Sequence, residues 1–369
     1  MGHLVLAGGG HAHLMILANI ATLIGQGHRV TVIGPSPHHY YSGMGPGMLG
    51  GTYTPEEVRF ATQKVVERQG ARFVLDRVVR IAANEKTVTL ASGRKFAYDV
   101  LSCNTGSEVA ADLVPEDRAD VFTVKPIEKL QEAKERVLAL AAARPITIAI
   151  AGGGPSAAEI AGNLIQLTNR PGLNRPRIVI FAGYALMGRF PAGVRRRVIA
   201  SLTRRGIEII NQRVTAINAG QITTATGTTD ADLIFLASGI TPSPLFRDSG
   251  LATGPDGGLL VNRFLQAVDH PQIFAGGDCI TFTDAPLDKV GVYAVRQNPI
   301  LRHNLQASLE GRPLQPFRPG GKYLLIFNLG EAEGVLHKGW LTFEGRLAFW
   351  IKDLIDRRFM RRFQAMEVG

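Results

Sequence analysis

The stretch HLVLAGGGHAHL, residues 3–14, sets three glycines and two histidines between an apolar run and the start of a helical pattern. Glycines at a strand-to-helix turn leave backbone N–H groups free to meet a dinucleotide pyrophosphate at the helix N-terminus. Gly8 and Gly10 take the first two places of G-x-G-x-x-G, His11 follows, and His13 stands in the third place. A histidine there should push the helix off its strand or tilt it, because the third glycine normally permits close packing. Histidine also binds metals, but His11 and His13 lie two apart and would point to different faces of a helix, so no metal site is expected. A tight turn without a ligand is the remaining reading.

The same design recurs in PITIAIAGGGPSAAEIAGNL, residues 145–164. Gly152, Gly154 and Ala157 fit G-x-G-x-x-A, and Pro155 falls in the first helical turn, where proline is tolerated. Behind each cradle the chain reads helix, glycine, strand, turn, aspartate, apolar strand, then Thr-Gly or Ser-Gly. Gly8 and Gly152 are 144 residues apart, Gly70 and Gly206 136, Gly106 and Gly239 133. Three landmarks at nearly constant offset predict two dinucleotide-binding units and two nucleotides. A third landmark is HPQIFAGGDCITF, residues 270–282, a strand running into Gly-Asp and followed by a helix expected over 290–309.

The 369 residues suffice for two domains, and 45% hydrophobic residues with 42 glycines suit a large α/β core with many tight turns. Lys and Arg exceed Asp and Glu by 41 to 31, so a basic surface could attract phosphorylated cofactors or anionic membrane. With no basic low-complexity arm, no nucleic-acid partner is expected. Cys103 and Cys279 are the only cysteines, too few for a disulfide framework, and a reducing compartment follows. The first strand begins at residue 3, leaving no room for a signal peptide, and charges or prolines break every long apolar run. A cytoplasmic location, with peripheral attachment to the inner face of a membrane as the variant, is the expectation.

GGGHAH, YYSGMGPGMLGG, GGDC, KVGVYAVRQNP and WIKDLIDRRFMRRF resemble the FAD-dependent pyridine nucleotide-disulphide oxidoreductase superfamily, on its type II NADH dehydrogenase side. They look closest to the flavoprotein domain fused in some organisms to selenide, water dikinase. The resemblance implies an α/β fold of two Rossmann-like three-layer units, the second inserted in the first, and a short C-terminal segment with an amphipathic helix. The boundaries expected are 1–107 with 236–316 for FAD, 108–235 for NAD(P)H, and 317–369 for the C-terminal segment. It implies FAD held by Gly8, Gly10, His11, Ser36, Gly106, Asp278, Gly291 and Val292. NAD(P)H would be held by Gly152, Gly154 and Gly239. Glu159 would stand beside the nicotinamide, and Lys289 would add a positive charge to the helix N-terminus facing the flavin. These two are the candidate catalytic residues.

Two departures matter. The acid that normally ends the second strand of each unit and binds a ribose diol is missing: the first unit offers Gly34 and Ser36, the second Ala182 and Gly183 with Arg189 further on. The cysteines lie inside nucleotide-binding motifs rather than as a redox pair, so they are read as small buried residues. The reaction implied is hydride transfer from NAD(P)H to flavin, with electrons passed to a quinone or small acceptor. A sulfide:quinone oxidoreductase is one alternative, and a non-catalytic flavin or nucleotide sensor, or a partner of a selenium enzyme, is another. In residues 344–364, Leu347, Ile351, Ile355, Phe359 and Phe363 recur every four residues, widened by Trp350 and Leu354, among six basic and three acidic residues. That stripe is expected to dock on the protein, on a second copy in a homodimer, or on an anionic membrane surface.

Overall fold

The computed structural model describes residues 1–109, 120–218 and 220–367. Parts of the expected units 108–235 and 317–369 therefore lie outside the described residues. Two five-stranded parallel sheets dominate. The first contains β1 (His3–Ala7), β2 (Arg29–Gly34), β3 (Arg72–Leu75), β4 (Val100–Cys103) and, after the intervening unit, β10 (Ile273–Ala275). The second contains β5 (Val121–Thr123), β6 (Thr147–Ala151), β7 (Arg177–Phe181), β8 (Glu208–Ile210) and β9 (Leu233–Leu236). Their orders are β10-β4-β1-β2-β3 and β5-β9-β6-β7-β8. Matched strand for strand, these are one arrangement used twice, and only the origin of one edge strand differs.

Central strands of a parallel sheet are covered on both faces and read as continuous apolar runs. Leu4, Val5 and Leu6 of β1 and Ile148, Ala149 and Ile150 of β6 are accordingly without solvent exposure. Each unit adds a three-stranded antiparallel sheet after its third strand, Val78–Ala82 to Ala97 in the first and Val214–Asn218 to Asp230 in the second. Both carry a register shift at the same place, Val78/Arg80 and Val214/Ala216. In the first unit one core joins β1, the antiparallel residues Ile81 and Val88, and Leu301 and Leu305 of a long helix.

Ser107–Val109 leads out of the first unit and pairs antiparallel with the returning Ile240–Pro242. The second sheet keeps all of Leu233–Leu236. The expected boundary between 235 and 236 thus cuts its last strand, and the crossing lies a few residues later.

The helix after the first cradle is broken, where the sequence predicts a shifted or tilted helix. His11–His13 forms a 3-10 turn, α1 (Leu14–Leu17) is one turn long, and a second short helix restarts at Ile20. The equivalent helix of the second unit, α2 (Pro155–Thr168), runs unbroken, with Ala157 in the position of His13. The His13 ring turns inward instead, its Nδ1 2.6 Å from Gly8 O and its Nε2 2.8 Å from Ser102 Oγ.

After α3 (Gly291–Glu310), the C-terminal segment is a three-stranded antiparallel sheet from Leu325 to Gly345 followed by α4 (Arg346–Gln364). Gly162 of α2 touches this segment so closely that a Cβ would lie 2.0 Å from Leu329 O. The inward face of α4 corrects the stripe reading. Ala348, Phe349, Lys352, Asp356, Met360 and Phe363 are buried, while Leu347, Trp350, Leu354 and Ile355 are 61%, 58%, 69% and 45% exposed. Four residues turn a helix about 40° past a full circle, so a stripe of four-residue steps has swung by about 160° between Leu347 and Phe363. Its two ends cannot face the same neighbour.

Candidate functional site

Both cradles open at the C-terminal edge of their sheet, where ligands of open α/β sheets bind. The first lies on a cavity of about 620 Å³. Gly8, Gly10, His11, Ser36, Gly106, Asp278 and Gly291 all line it. Val292 and Lys289 do not appear in that lining. Lys289 Nζ donates to Ile280 O and pairs with Asp256 Oδ2 at 2.8 Å. The expected flavin-facing charge is therefore held elsewhere, and the lysine that lines the cavity is Lys125.

Lys125 Nζ lies 2.8 Å from Asp278 Oδ2, and Ser107 Oγ donates to the same oxygen at 2.9 Å. Asp278 sits in the short 3-10 turn after β10, at the foot of α3. Gln297 Oε1 accepts from Gly277 N at 2.6 Å, fixing that turn against α3. Lys125 carries no motif and lies far from Asp278 in sequence, so reading along the chain missed it.

Asn104 explains part of the glycine pattern. Its Nδ2 donates to Gly276 O at 2.8 Å, joining β4 to β10. A Cβ on Gly10 would lie 1.8 Å from Asn104 Oδ1, and one on Gly8, where φ is +92°, 2.2 Å from Asn104 O. These two glycines are demanded by the protein's own packing. Gly291, Gly154 and Gly239 are different: a Cβ on any of them meets nothing within 4 Å, and none has a positive φ. Space beside a glycine that neither fold nor backbone needs is what close approach of a ligand requires. His11 Nε2 and Thr105 Oγ1, both of cavity-lining residues, are buried without a partner among the described residues. The residues present thus fit a polar, phosphate-bearing cofactor in each cradle.

His11 Nδ1 is 3.2 Å from His39 Nε2, and Phe359 of α4 stacks on the His11 ring at 5.9 Å. Burial, with Lys125 adding to it, holds His11 down at about 4, and burial, with His11 and Lys125 adding to it, holds His39 well below its ordinary value, so this pair is neutral near pH 7. Among the described residues no cluster could hold a metal ion.

Asp76 was also missed. It follows β3 rather than β2, lines the cavity, and its N–H donates to Gly34 O at 3.0 Å. Hydrogen bonds, first from Ser92 and then from Arg77 N and Arg94, hold its carboxyl down at about 2. This carboxylate therefore adjoins the end of β2, where the sequence itself offers no acid. Ser36 Oγ caps the local turn by accepting from His38 N at 3.2 Å.

Glu159 lies on α2 one turn beyond the second cradle, and its Oε1 accepts from Asn328 N at 2.8 Å. Burial pushes its carboxyl up to about 7, against the pull of Lys352. Lys352 Nζ donates to Asp356 Oδ2 at 2.6 Å and to Gly43 O at 2.7 Å, and Tyr41 Oη donates to Asp356 Oδ1 at 3.0 Å. Glu159 is thus bonded to the C-terminal sheet, while α4 bonds to Tyr41 and Gly43, which flank the cavity-lining Ser42. Both cysteines are free and without exposure, and burial raises both thiols.

A family model described as pyridine nucleotide-disulphide oxidoreductase matches residues 2–304. Demethylphylloquinone reductase NdbB of Synechocystis is 30% identical over 243 residues, 63% of this chain and 59% of its own length. The chain thus spans less than two thirds of that relative. Type II NADH:quinone oxidoreductase of Staphylococcus saprophyticus is 23% identical over 382 residues, 96% of this chain and 94% of its own. Among solved structures, NDH2 from Plasmodium falciparum in complex with NADH has a TM-score of 0.82 at 13% identity, covering 100% and 97% of the two chains. The sulfide:quinone oxidoreductase of Aquifex aeolicus has 0.80 at 19% identity, covering 99% and 92%. At such identities the two structures speak for the fold alone.

Proposed function

The chain belongs to the pyridine nucleotide-disulphide oxidoreductase family, and from that premise we propose that it is an FAD-dependent NAD(P)H oxidoreductase passing electrons to a quinone or small acceptor. The observation that carries this reading is the duplicated cradle, one copy opening on a cavity of about 620 Å³ and the other followed by Glu159, which bonds to the C-terminal sheet at Asn328. FAD, held by residues of the first cradle, would supply the hydride and electron chemistry when bound.

The chain's own residues bind and orient. Gly8, Gly10, His11, Ser36, Gly106, Asp278 and Gly291 would hold FAD, with Asp76 near the adenosine end and the Lys125–Asp278 pair closing one wall. Gly152, Gly154 and Gly239 would hold the second nucleotide's pyrophosphate. Glu159, raised to about 7, can hold or release a proton at neutral pH where the second unit meets α4. Lys352 and Asp356 keep that neighbourhood polar and closed to water.

A quinone acceptor is supported by the printed activities of the Synechocystis and staphylococcal relatives. The branch motifs support kinship with the flavoprotein domain fused to selenide, water dikinase, so small oxidised selenium and sulfur species belong on the acceptor panel. A cysteine-based sulfide mechanism is not favoured, since thiols raised by burial carry little thiolate.

For membrane contact, we assign the exposed apolar set Trp340, Leu341, Leu347, Trp350 and Leu354, flanked by the exposed Arg346, Arg358, Arg361 and Arg362, to an anionic lipid surface. Among the described residues no helix is long and apolar enough to cross a membrane. A homodimer through the same face is the competing outcome.

The deciding experiment is anaerobic mixing of the yellow holoprotein with NADH, NADPH and sulfide in turn. Bleaching by a pyridine nucleotide, followed by reoxidation with a quinone, supports the reading. Bleaching by sulfide alone, or by none of the three, overturns it in favour of the sulfide enzyme or the sensor.

A further inference from the structure

The two cradles share one design and differ where the ribose next to adenine would lie. In the first unit Asp76 places a carboxylate beside the end of β2, held there by Ser92, Arg94 and Arg77 N. The matching position in the second unit, 136 residues on, is Gln212, whose carbonyl accepts from Gly183 N at 3.1 Å just past β7. From Ala182 to Ile207 the chain has no Asp or Glu at all. Glu208 of β8 is engaged by Arg177, with two contacts of 2.8 Å.

The loop after β7 is folded onto the cradle. Met187 N donates to Gly153 O at 2.7 Å, and a Cβ on Gly153 would lie 2.3 Å from Ala182 O. Tyr184 in this loop is 95% exposed. Arg189, further along it, and Arg213, next to Gln212, are both exposed, and neither side chain has a hydrogen bond or ion pair among the described residues. The segment from Ala182 to Arg213 thus carries two guanidinium groups without partners among the described residues, an exposed aromatic ring, and no carboxylate before Glu208.

A ribose 2′-hydroxyl calls for an acceptor such as a carboxylate, whereas a 2′-phosphate is repelled by one and matched by the arginine fork. We propose that the second cleft takes NADPH in preference to NADH, with Arg189 and Arg213 receiving the 2′-phosphate and Tyr184 the adenine face. The proposal rests on the second cradle being a pyridine nucleotide site. The contrast with Asp76 supports it from within the same chain, because FAD carries an unphosphorylated adenosine ribose.

The test is calorimetric binding of adenosine 2′,5′-bisphosphate and of 5′-AMP to the FAD-loaded protein, beside kcat/KM for NADPH and NADH. The bisphosphate should bind at least about tenfold more tightly, with an affinity that falls as salt rises. In a doubly substituted Arg189→Ala, Arg213→Ala protein that ratio should fall towards one. Both side chains are exposed and unpartnered, so the variant should melt with the wild type. Equal binding of the two probes, or a ratio unchanged by the double substitution, overturns the preference alone. Failure of both probes and both nucleotides to bind overturns the preference together with the assignment of the cradle.

Discussion

Lys125 Nζ and Asp278 Oδ2 are 2.8 Å apart across the junction of the two units, one residue arriving just after β5 and the other just after β10. The pair is 24% and 15% exposed, so it is largely withdrawn from solvent and forms part of the cavity wall. Lys125→Met should cost about 1–3 kcal/mol, the range for losing a charge-assisted hydrogen bond with its partner left behind. It should also weaken FAD retention and lower the flavin midpoint potential. Lys289→Met should leave both unchanged, since its charge is spent on Asp256. Spectroelectrochemistry and gel filtration of the two variants check this, and the reverse ranking would return the role to Lys289.

Glu159 gives a signed pH effect. Its carboxyl is raised to about 7 from an ordinary value of 4.5, so the folded protein holds this proton more tightly than the unfolded chain. The associated stability is fully present below pH 4.5 and is lost as pH rises through about 7. A shift of that size is worth at most about 3 kcal/mol. Glu159→Gln keeps an oxygen for Asn328 N and should melt at a more constant temperature between pH 5 and 8 than the wild type. Melting curves of the two proteins with parallel pH dependence would refute the assignment.

His13→Gly restores the motif and should nevertheless do harm. Gly8 O and Ser102 Oγ would both lose a buried partner, and a ring-sized gap would open beneath the cradle. The cost should be about 2–4 kcal/mol, with weaker FAD retention, measurable by denaturant unfolding. Burial also holds His13 down at about 4. Its stabilising contribution is therefore present above pH 6.5 and is lost as pH falls towards 4, so the wild type should shed stability in that window more steeply than the variant.

Trp350→Glu with Leu354→Glu should leave the melting temperature unchanged, because both side chains already face solvent. Flotation with vesicles containing anionic lipid should fall by at least about tenfold, each buried apolar side chain being worth roughly 1.5–3 kcal/mol. Weak flotation of the wild type, together with a dimer that the double variant disperses, would assign the face to a second copy.

Much of the molecule is determined by local order in the chain. Glycine spacing, apolar strand runs and the offset between Gly8 and Gly152 follow from backbone geometry, which repeats wherever the same strand-turn-helix is built. They sufficed to predict two parallel-sheet units and seven of the residues that line the cavity. The partners of charged and ring side chains were decided only in three dimensions. Lys289 lies beside the right helix but pairs with Asp256. Asp76 brings a carboxylate beside the end of β2 from the end of β3, because neighbouring strands end side by side whatever their separation in sequence. His13 replaces a glycine by turning its ring into Gly8 O and Ser102 Oγ, a compensation that needs β4 in place. The face of α4 was likewise chosen by what it meets: Tyr41 and Gly43 satisfy Lys352 and Asp356 inside, and the apolar N-terminal half of the stripe is left outside. Helical period sets which residues share a face, while the surface against which the helix lies selects which face is buried.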